Sequence, residues 1–242
     1  MRNEPIKVLD HGYVQLIEVL GNDATVVNAA RVSFAQEIDV ISEKDAKLID
    51  YLAKNGHKSP FYHPQLQFRV KAPISVQRQW FKHKVGTAEN SESTRYIEVE
   101  EEFYIPELMR LQSPSNKQGS QGYLDSAEPY QGPYARQGGL GEYLSKQEVA
   151  WEAYYESVTD SYIQYQKLLE LGVAKEQARD VLPLCTYTSW VWTASLYSVY
   201  NFLQLRDHDH AQEEIRQYAK ALRQLTAYDF PISLSALEDW NP

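Results

Sequence analysis

Residues 65–83 read QLQFRVKAPISVQRQWFKH. Leu66, Phe68 and Val70 alternate with Gln67, Arg69 and Lys71, which is the period of a half-buried strand. Pro73 suits the first turn of a helix, where a backbone N–H has no intrahelical partner to lose. ISVQRQWFKH continues from it with helical spacing. One proline therefore marks a change from strand to helix.

Upstream, VQLIEVL (14–20) has strand character, and Asn22-Asp23 offer an N-cap to a helix through Val26, Val27 and Ala30. SEKDAKLIDYLAKNGH (42–57) predicts a second helix. Ser42 and Asp45 form its capping box, Ile49 and Leu52 its apolar positions, and Gly56 its C′ residue. Downstream, RYIEVEEEFYIP (95–106) alternates again, with Ile97, Val99 and Phe103 on one side and Glu98, Glu100 and Glu102 on the other. That pattern predicts a strand with one solvated face. Residues 107–142 are rich in Gly, Ser, Gln and Pro and lack periodicity, the mark of a long loop or insertion. Helices are predicted over 145–171, 174–182 up to Pro183, roughly 188–204, and 208–226, with Ala211, Ile215, Tyr218, Ala219 and Leu222 on one stripe of the last. The expectation is a single α+β domain over residues 1–242. It has a mixed or antiparallel sheet packed with helices, a helical C-terminal half and an insertion at 107–142.

The chain carries a formal charge of −9, which argues against general nucleic-acid or anionic-membrane binding. No apolar run reaches membrane-spanning length, and the N-terminal residues lack the apolar stretch of a secretory signal. A single cysteine, Cys185, leaves no internal disulfide and suits a reducing cytoplasm. Against this acidic background, residues 69–84 hold Arg69, Lys71, Arg78, Lys82 and Lys84 with His83, and no acid. On a helix from Pro73, Gln79, Lys82 and His83 share a face. A loop of hydroxyl and amide donors follows, with Thr87, Asn90, Ser91, Ser93 and Thr94. Cations beside such donors make an anion site; a solvated basic face balancing nearby glutamates is the other reading.

His208 and His210 stand two apart among aspartates, a spacing that does not converge on a helix. No metal site is expected, and Asp207 or Asp209 is placed as the cap of the following helix. His57 and His63 flank Pro60 in a turn and read as structural. The chain has no GxGxxG, P-loop or GxSxG.

Taken together, NAARVSF (28–34), NGHKSPFYHP (55–64), FRVKAPISVQRQWFKHK (68–84), STRY (93–96), LPLCTYT (182–188), NFLQLR (201–206) and DHAQEEI (209–215) resemble the flavin-dependent thymidylate synthases. The family signature is an Arg-His-Arg triplet, a spacer, then serine closely followed by arginine. Here it reads Lys82-His83-Lys84, with Ser93 and Arg95 after a spacer one residue longer than usual. Lysine keeps the charge and loses the planar fork of arginine. The resemblance implies reductive methylation of dUMP to dTMP with bound FAD, methylenetetrahydrofolate as carbon donor and NADPH as reductant. It also implies a homotetramer with shared active sites.

Carried over by position, Ser33, His57, Ser59, Lys82, His83, Lys84, Asn90, Asn201, Leu205 and His210 would contact FAD. Ser195 and Tyr197 stand at FAD positions where many members carry Asn and Arg, and Tyr62 where some carry an acid. Gln79, Lys82, Ser91, Glu92, Ser93, Thr94, Arg95, Arg179 and Arg206 would contact dUMP. Arg206 is the catalytic candidate, because a fixed guanidinium favours negative charge on the pyrimidine. Other readings stand beside these: Arg179 pairing with Glu176 or Asp180, Arg206 closing the C-terminus of a helix, and Ser93 capping a turn. Cys185 has no neighbouring His or base in sequence to lower its pKa, so it reads as a small buried residue, with the flavin supplying the hydride. The lysine replacements and the Ser195 and Tyr197 changes motivate an alternative, a non-catalytic nucleotide-binding homologue.

Overall fold

The computed structural model describes residues 4–115, 119–139 and 141–240. In chain order the elements are β1 (Ile6–Val8), β2 (Gly12–Leu20), α1 (Asp23–Arg31), α2 (Glu43–Lys54), β3 (Gln65–Pro73), α3 (Ile74–Trp80), β4 (Thr87–Ser91), β5 (Arg110–Gln112), β6 (Ser120–Tyr123), α4 (Lys146–Glu170), α5 (Lys175–Ala178), β7 (Tyr187–Ser195), α6 (Leu196–Arg206), α7 (Glu213–Asp229) and α8 (Pro231–Asp239). They fall into two compact units, one running to Glu92 and resuming at Tyr187, the other Ser93–Thr186.

The first unit is built on a five-stranded sheet of order β1-β2-β3-β7-β4, antiparallel at every pairing. Val14 pairs with Val70 and Leu16 with Phe68, while Phe68 pairs with Trp192 and Val70 with Trp190. These side chains share the buried face of the sheet. Trp80, at the end of α3, closes over them, its ring 5.5 Å from Trp190, 5.4 Å from Trp192 and 4.3 Å from Phe202 of α6. The Ile215, Tyr218, Ala219 and Leu222 stripe of α7 is buried in the same core.

The α+β class and the sheet–helix change at Pro73 are as expected. So are the Asn22 cap and the Ser42/Asp45 capping box. Gly56 takes a left-handed φ of 70° just beyond α2, the conformation a helix C′ residue favours.

In this unit three expectations change. Residues 187–195 are a strand, and the helix predicted over 188–204 instead runs over Leu196–Arg206. Tyr187, Trp190, Trp192 and Ala194 are buried in the register set by β3. Each large side chain buried this way contributes about 1.5–3 kcal/mol, far more than the local helix preference of Ala, Ser and Leu. Residues 87–91, expected in a polar loop, form β4 at the sheet edge beside β7. The 208–226 helix starts later, at Glu213, with no side-chain cap. Asp207 instead accepts from Arg223 at 2.8 Å and Asp209 from Arg216 at 2.9 Å.

In the second unit, residues 95–106 do not form the predicted strand. Phe103 makes one isolated bridge to Thr186, and Val99 N–H donates to the buried Tyr165 hydroxyl at 3.0 Å. The alternation therefore serves packing against α4 rather than a ladder. Helix α4 is capped by a Ser145/Glu148 box. The described residues of segment 107–142 are largely irregular around the antiparallel β5–β6 pair, and residues 116–118 and 140 of the expected insertion lie outside the described residues. The segment is tied to α4 through Gln147, which accepts from Met109 N–H and donates to the Glu107 carbonyl, and through a bidentate Arg136–Glu156 pair at 2.7 and 3.0 Å. The expected 174–182 helix is a single α turn at Lys175–Ala178 followed by a 3-10 turn at Arg179–Val181. Cys185 is buried beside Phe103 and Val158.

Candidate active site

Helix α3 delivers the cation-rich triplet. Val76 and Trp80 bury its inner face, and the chain then turns tightly, with Lys82 N–H bonded to the Gln79 carbonyl and His83 N–H to that of Trp80. The turn leaves Lys82 and Lys84 exposed and His83 half-buried. Phe202 backs the imidazole, with ring centroids 4.8 Å apart.

Arg206, the last residue of α6, returns to this turn. Its Nε–H donates to His83 Nε2 at 3.0 Å, and its Nη2 reaches the Gln79 carbonyl at 3.4 Å. Gln79 and His83 thus converge on Arg206. Lys82, expected on the same face, points outward, and no described carboxylate pairs with it. Burial, and then the adjacent guanidinium, push the His83 pKa down to about 4. The imidazole is therefore neutral at pH 7, and its acceptor role at Nε2 puts the remaining proton on Nδ1. Burial also lowers the pKa of Arg206, which stays charged because a guanidinium starts so high.

Lys84 ion-pairs with Glu89 of β4 and lies 5.2 Å over the Phe81 ring. Thr87 Oγ1 donates to the His83 carbonyl at 2.9 Å. Gln79 Nε2 donates to Gln212 at 2.6 Å. Asn90, Ser91 and Glu92 are exposed, and Glu92 N–H extends the β7 pairing by donating to Ser189.

The remaining expected FAD residues sit on other elements of this unit. Ser33 is exposed on a 3-10 turn between Val32 and Phe34, themselves 75% and 73% exposed. His57 is exposed and stacks on Tyr51 at 6.0 Å. Ser59 opens the 3-10 turn that carries Tyr62. Tyr197 is buried between Tyr62 and Tyr200, at 5.1 and 5.7 Å, with Lys58 Nζ 5.3 Å over its ring. Asn201 is half-buried on α6 and Leu205 is exposed. His210 is exposed, its N–H bonded to His208 Nδ1. Ser195 is buried: its hydroxyl caps α6 and meets Ser198 Oγ at 2.7 Å.

In the other unit, Arg179 Nη1 donates to Thr94 Oγ1 at 2.9 Å. Arg95 pairs with Glu176 at 2.7 Å, and the Ser93 carbonyl accepts from Tyr96 N–H. Arg179 therefore takes Thr94 as its hydrogen-bond partner.

Sequence reasoning missed the contacts of Glu89, Ser198, Gln212 and Lys58. The Ser195–Ser198 spacing of three is a cap signal, hidden while 188–204 reads as one helix. Among the described residues no group of three His, Cys, Asp or Glu side chains lies close enough to hold a metal, and no helix is long and apolar enough to cross a membrane.

The arrangement suits a planar anionic heterocycle: a fixed, part-buried cation for charge developing on a ring, and flexible exposed ammonium groups for phosphates. Residues 15–232 match the family described as "Thymidylate synthase complementing protein". The chain is 41% identical to the flavin-dependent thymidylate synthase of Thermosipho melanesiensis over 97% of its own length and 94% of that protein's. It is 41% identical to a flavin-dependent thymidylate synthase of Thermus thermophilus over 97% and 78%. Among solved structures it is similar to the UMP/dUMP methylase PolB of Streptomyces cacaoi bound with 5-Br dUMP. That likeness has a TM-score of 0.76 and 29% identity, over 97% of this chain and 98% of that one.

Proposed function

The chain belongs to the flavin-dependent thymidylate synthase family, and from that premise we propose that the Lys82-His83-Lys84 turn and Arg206 form the working centre of its reaction. The enzyme methylates dUMP to dTMP and uses the flavin FAD. Methylenetetrahydrofolate as carbon donor and NADPH as reductant, a homotetramer with shared sites, and a cytoplasmic setting complete the reading.

The residues present fit FAD. The turn after α3 carries two exposed lysines, Lys82 and Lys84, the second of which meets Glu89. At its far end the exposed Gly86 holds φ +66° with its backbone close against Ser198, where a Cβ would lie 2.5 Å from Oγ. When bound, FAD supplies the hydride chemistry. Lys82, His83, Lys84 and Asn90, with Ser33, His57, Ser59, Tyr197, Asn201, Leu205 and His210, would hold it, while Ser195, buried as the cap of α6, would not reach it. Gln79, Lys82, Ser91, Glu92, Ser93, Thr94, Arg95 and Arg179 would hold the nucleotide.

The observation that carries the reading is the Arg206–His83 bond. A neutral imidazole fixes the guanidinium without cancelling its charge. Arg206 thus keeps its full cationic field for a uracil ring acquiring negative charge, and needs no reorganisation as that charge develops. A carboxylate in place of His83 would have neutralised it.

The test is direct. Purified protein is expected to be yellow or to take up FAD, and its NADPH oxidation to depend on dUMP and methylenetetrahydrofolate. A protein that binds dUMP but no flavin would instead be the non-catalytic homologue.

A further inference from the structure

The turn that follows the triplet is held at three carbonyls within four residues. Thr87 Oγ1 donates to the His83 carbonyl at 2.9 Å, Ser198 Oγ to that of Val85 at 2.8 Å, and Ser195 N–H to that of Gly86 at 3.1 Å. Two of these donors come from the junction of β7 and α6. There Ser198 N–H donates to Ser195 Oγ at 3.2 Å, and the two hydroxyls are 2.7 Å apart. Each hydroxyl carries one proton. Ser198 spends its own on Val85, so the Ser195 hydroxyl donates to Ser198. The result is a one-way chain from the first turn of α6 into the Val85 carbonyl.

Packing does not hold the Val85 end of this turn. The Val85 side chain is 72% exposed, whereas Ser195 and Ser198 are 1% and 3% exposed. Neither serine reaches solvent to touch a ligand itself. Gly86 lets the backbone approach, since at φ +66° a Cβ would lie 2.5 Å from Ser198 Oγ and 3.3 Å from Ser195 Oγ. The opposite end of α6 carries Arg206, which bonds to His83 in the same turn. One rigid helix thus grips the segment 83–86 from both of its ends.

We propose that Ser198 is a positioning residue, which through the Val85 carbonyl fixes the turn carrying Lys82, His83 and Lys84 in the shape that receives FAD. The inference rests on the reading of that triplet as part of the FAD site. Ser198 acts on the cofactor only through the backbone it holds. A freed turn spreads its two ammonium groups over many positions, and affinity falls because their ordering is then charged to binding.

The experiment compares wild type, Ser198→Ala and Ser195→Ala. FAD affinity of the flavin-free proteins is read by flavin fluorescence, backbone hydrogen exchange by peptide, and melting temperature as a fold control. Ser198→Ala is expected to weaken FAD by about tenfold, the scale of one lost buried hydrogen bond. Exchange should quicken in peptides covering residues 83–90 and stay unchanged in α7. Ser195→Ala, which keeps the bond to Val85, should show a smaller loss of the same kind. Unchanged FAD affinity in Ser198→Ala overturns the proposal. So does a loss matched by faster exchange throughout α6 and α7, which would make Ser198 an ordinary fold residue. If Ser198→Ala does not fold, Ser195→Ala alone decides, and unchanged affinity with unchanged 83–90 exchange there overturns the proposal. Wild type that takes up no FAD overturns the cofactor assignment first, a failure visible before any variant is made.

Discussion

Replacing Arg206 by methionine removes a charge and two hydrogen bonds while keeping most of the side-chain volume. On the stability side two effects oppose. His83 Nε2 and the Gln79 carbonyl lose their donor, at a cost of about 1–3 kcal/mol. Against this, the protein no longer holds a guanidinium whose burial already lowers its pKa. The net is expected within about 1 kcal/mol, a melting shift of roughly 2–4 °C for a chain of this size. The catalytic side has no such offset. Losing a preorganised donor aimed at developing charge costs about 2.7–4 kcal/mol, or about 10²–10³ in turnover. A third readout is specific to the geometry. The guanidinium is the second cause of the low His83 pKa, after burial. His83 should therefore titrate higher than about 4 in the variant yet still below a free imidazole. Turnover is measured as dTMP formation, stability by calorimetry, and His83 by NMR titration assigned with a His83→Gln variant. Turnover within about tenfold of wild type would refute the role. A melting point lowered by more than about 10 °C would make Arg206 a structural clasp instead.

Because His83 binds its proton less readily folded than unfolded, the unfolded chain takes up more protons between pH 6.5 and about 4. Stability from this group is complete above pH 6.5 and lost as pH falls toward 4. The full shift corresponds to about 3 kcal/mol, reduced to about 1–2 kcal/mol by the solvent that reaches a half-exposed ring. Denaturant titrations of wild type and His83→Gln should differ in slope over that window alone. Ser42→Ala removes the capping box of α2 and the hydroxyl bond to Asp45. It should cost about 1–2 kcal/mol by chemical denaturation with dUMP turnover unchanged. Cys185→Ala should retain turnover, since the thiol is buried against Phe103 and Val158; inactive but folded protein would point to a thiolate nucleophile.

The elements legible in the sequence are those whose signal is local. β2, β3, α1 and α2 announce themselves through alternation, caps and a C′ glycine, and each carries its own signal within a short window. β7 does not. TYTSWVWTAS (186–195) is compatible with helix or strand, and only the distant partner β3 and the tryptophan cluster decide it. The 95–106 segment errs the other way: it alternates, with a break at Glu101, yet among the described residues it gains one isolated bridge, Phe103 to Thr186, and no ladder. The site divides along the same line. The cluster of charge at 69–84 is visible in one line of sequence, and so is its lack of acids. The neutrality of His83 is not, because it follows first from burial against Phe202 and then from Arg206, both on a helix more than a hundred residues later. The Ser195–Ser198 relay stays hidden for the same reason as β7, since its cap appears only once the strand before it is known.

The interior position of β7, between β3 and β4, also bears on biosynthesis. Its contacts with β3 join residues as far apart in the chain as Gln65 and Ser195. At ribosomal rates of about 5–20 residues per second, β3 is made roughly 6–25 s before its neighbour exists. During that interval Leu66, Phe68 and Val70 stand on an unfinished sheet margin, the kind of edge that recruits other strands. Arg69 and Lys71, interleaved among them, are gatekeepers suited to guard that margin until Trp190 and Trp192 emerge.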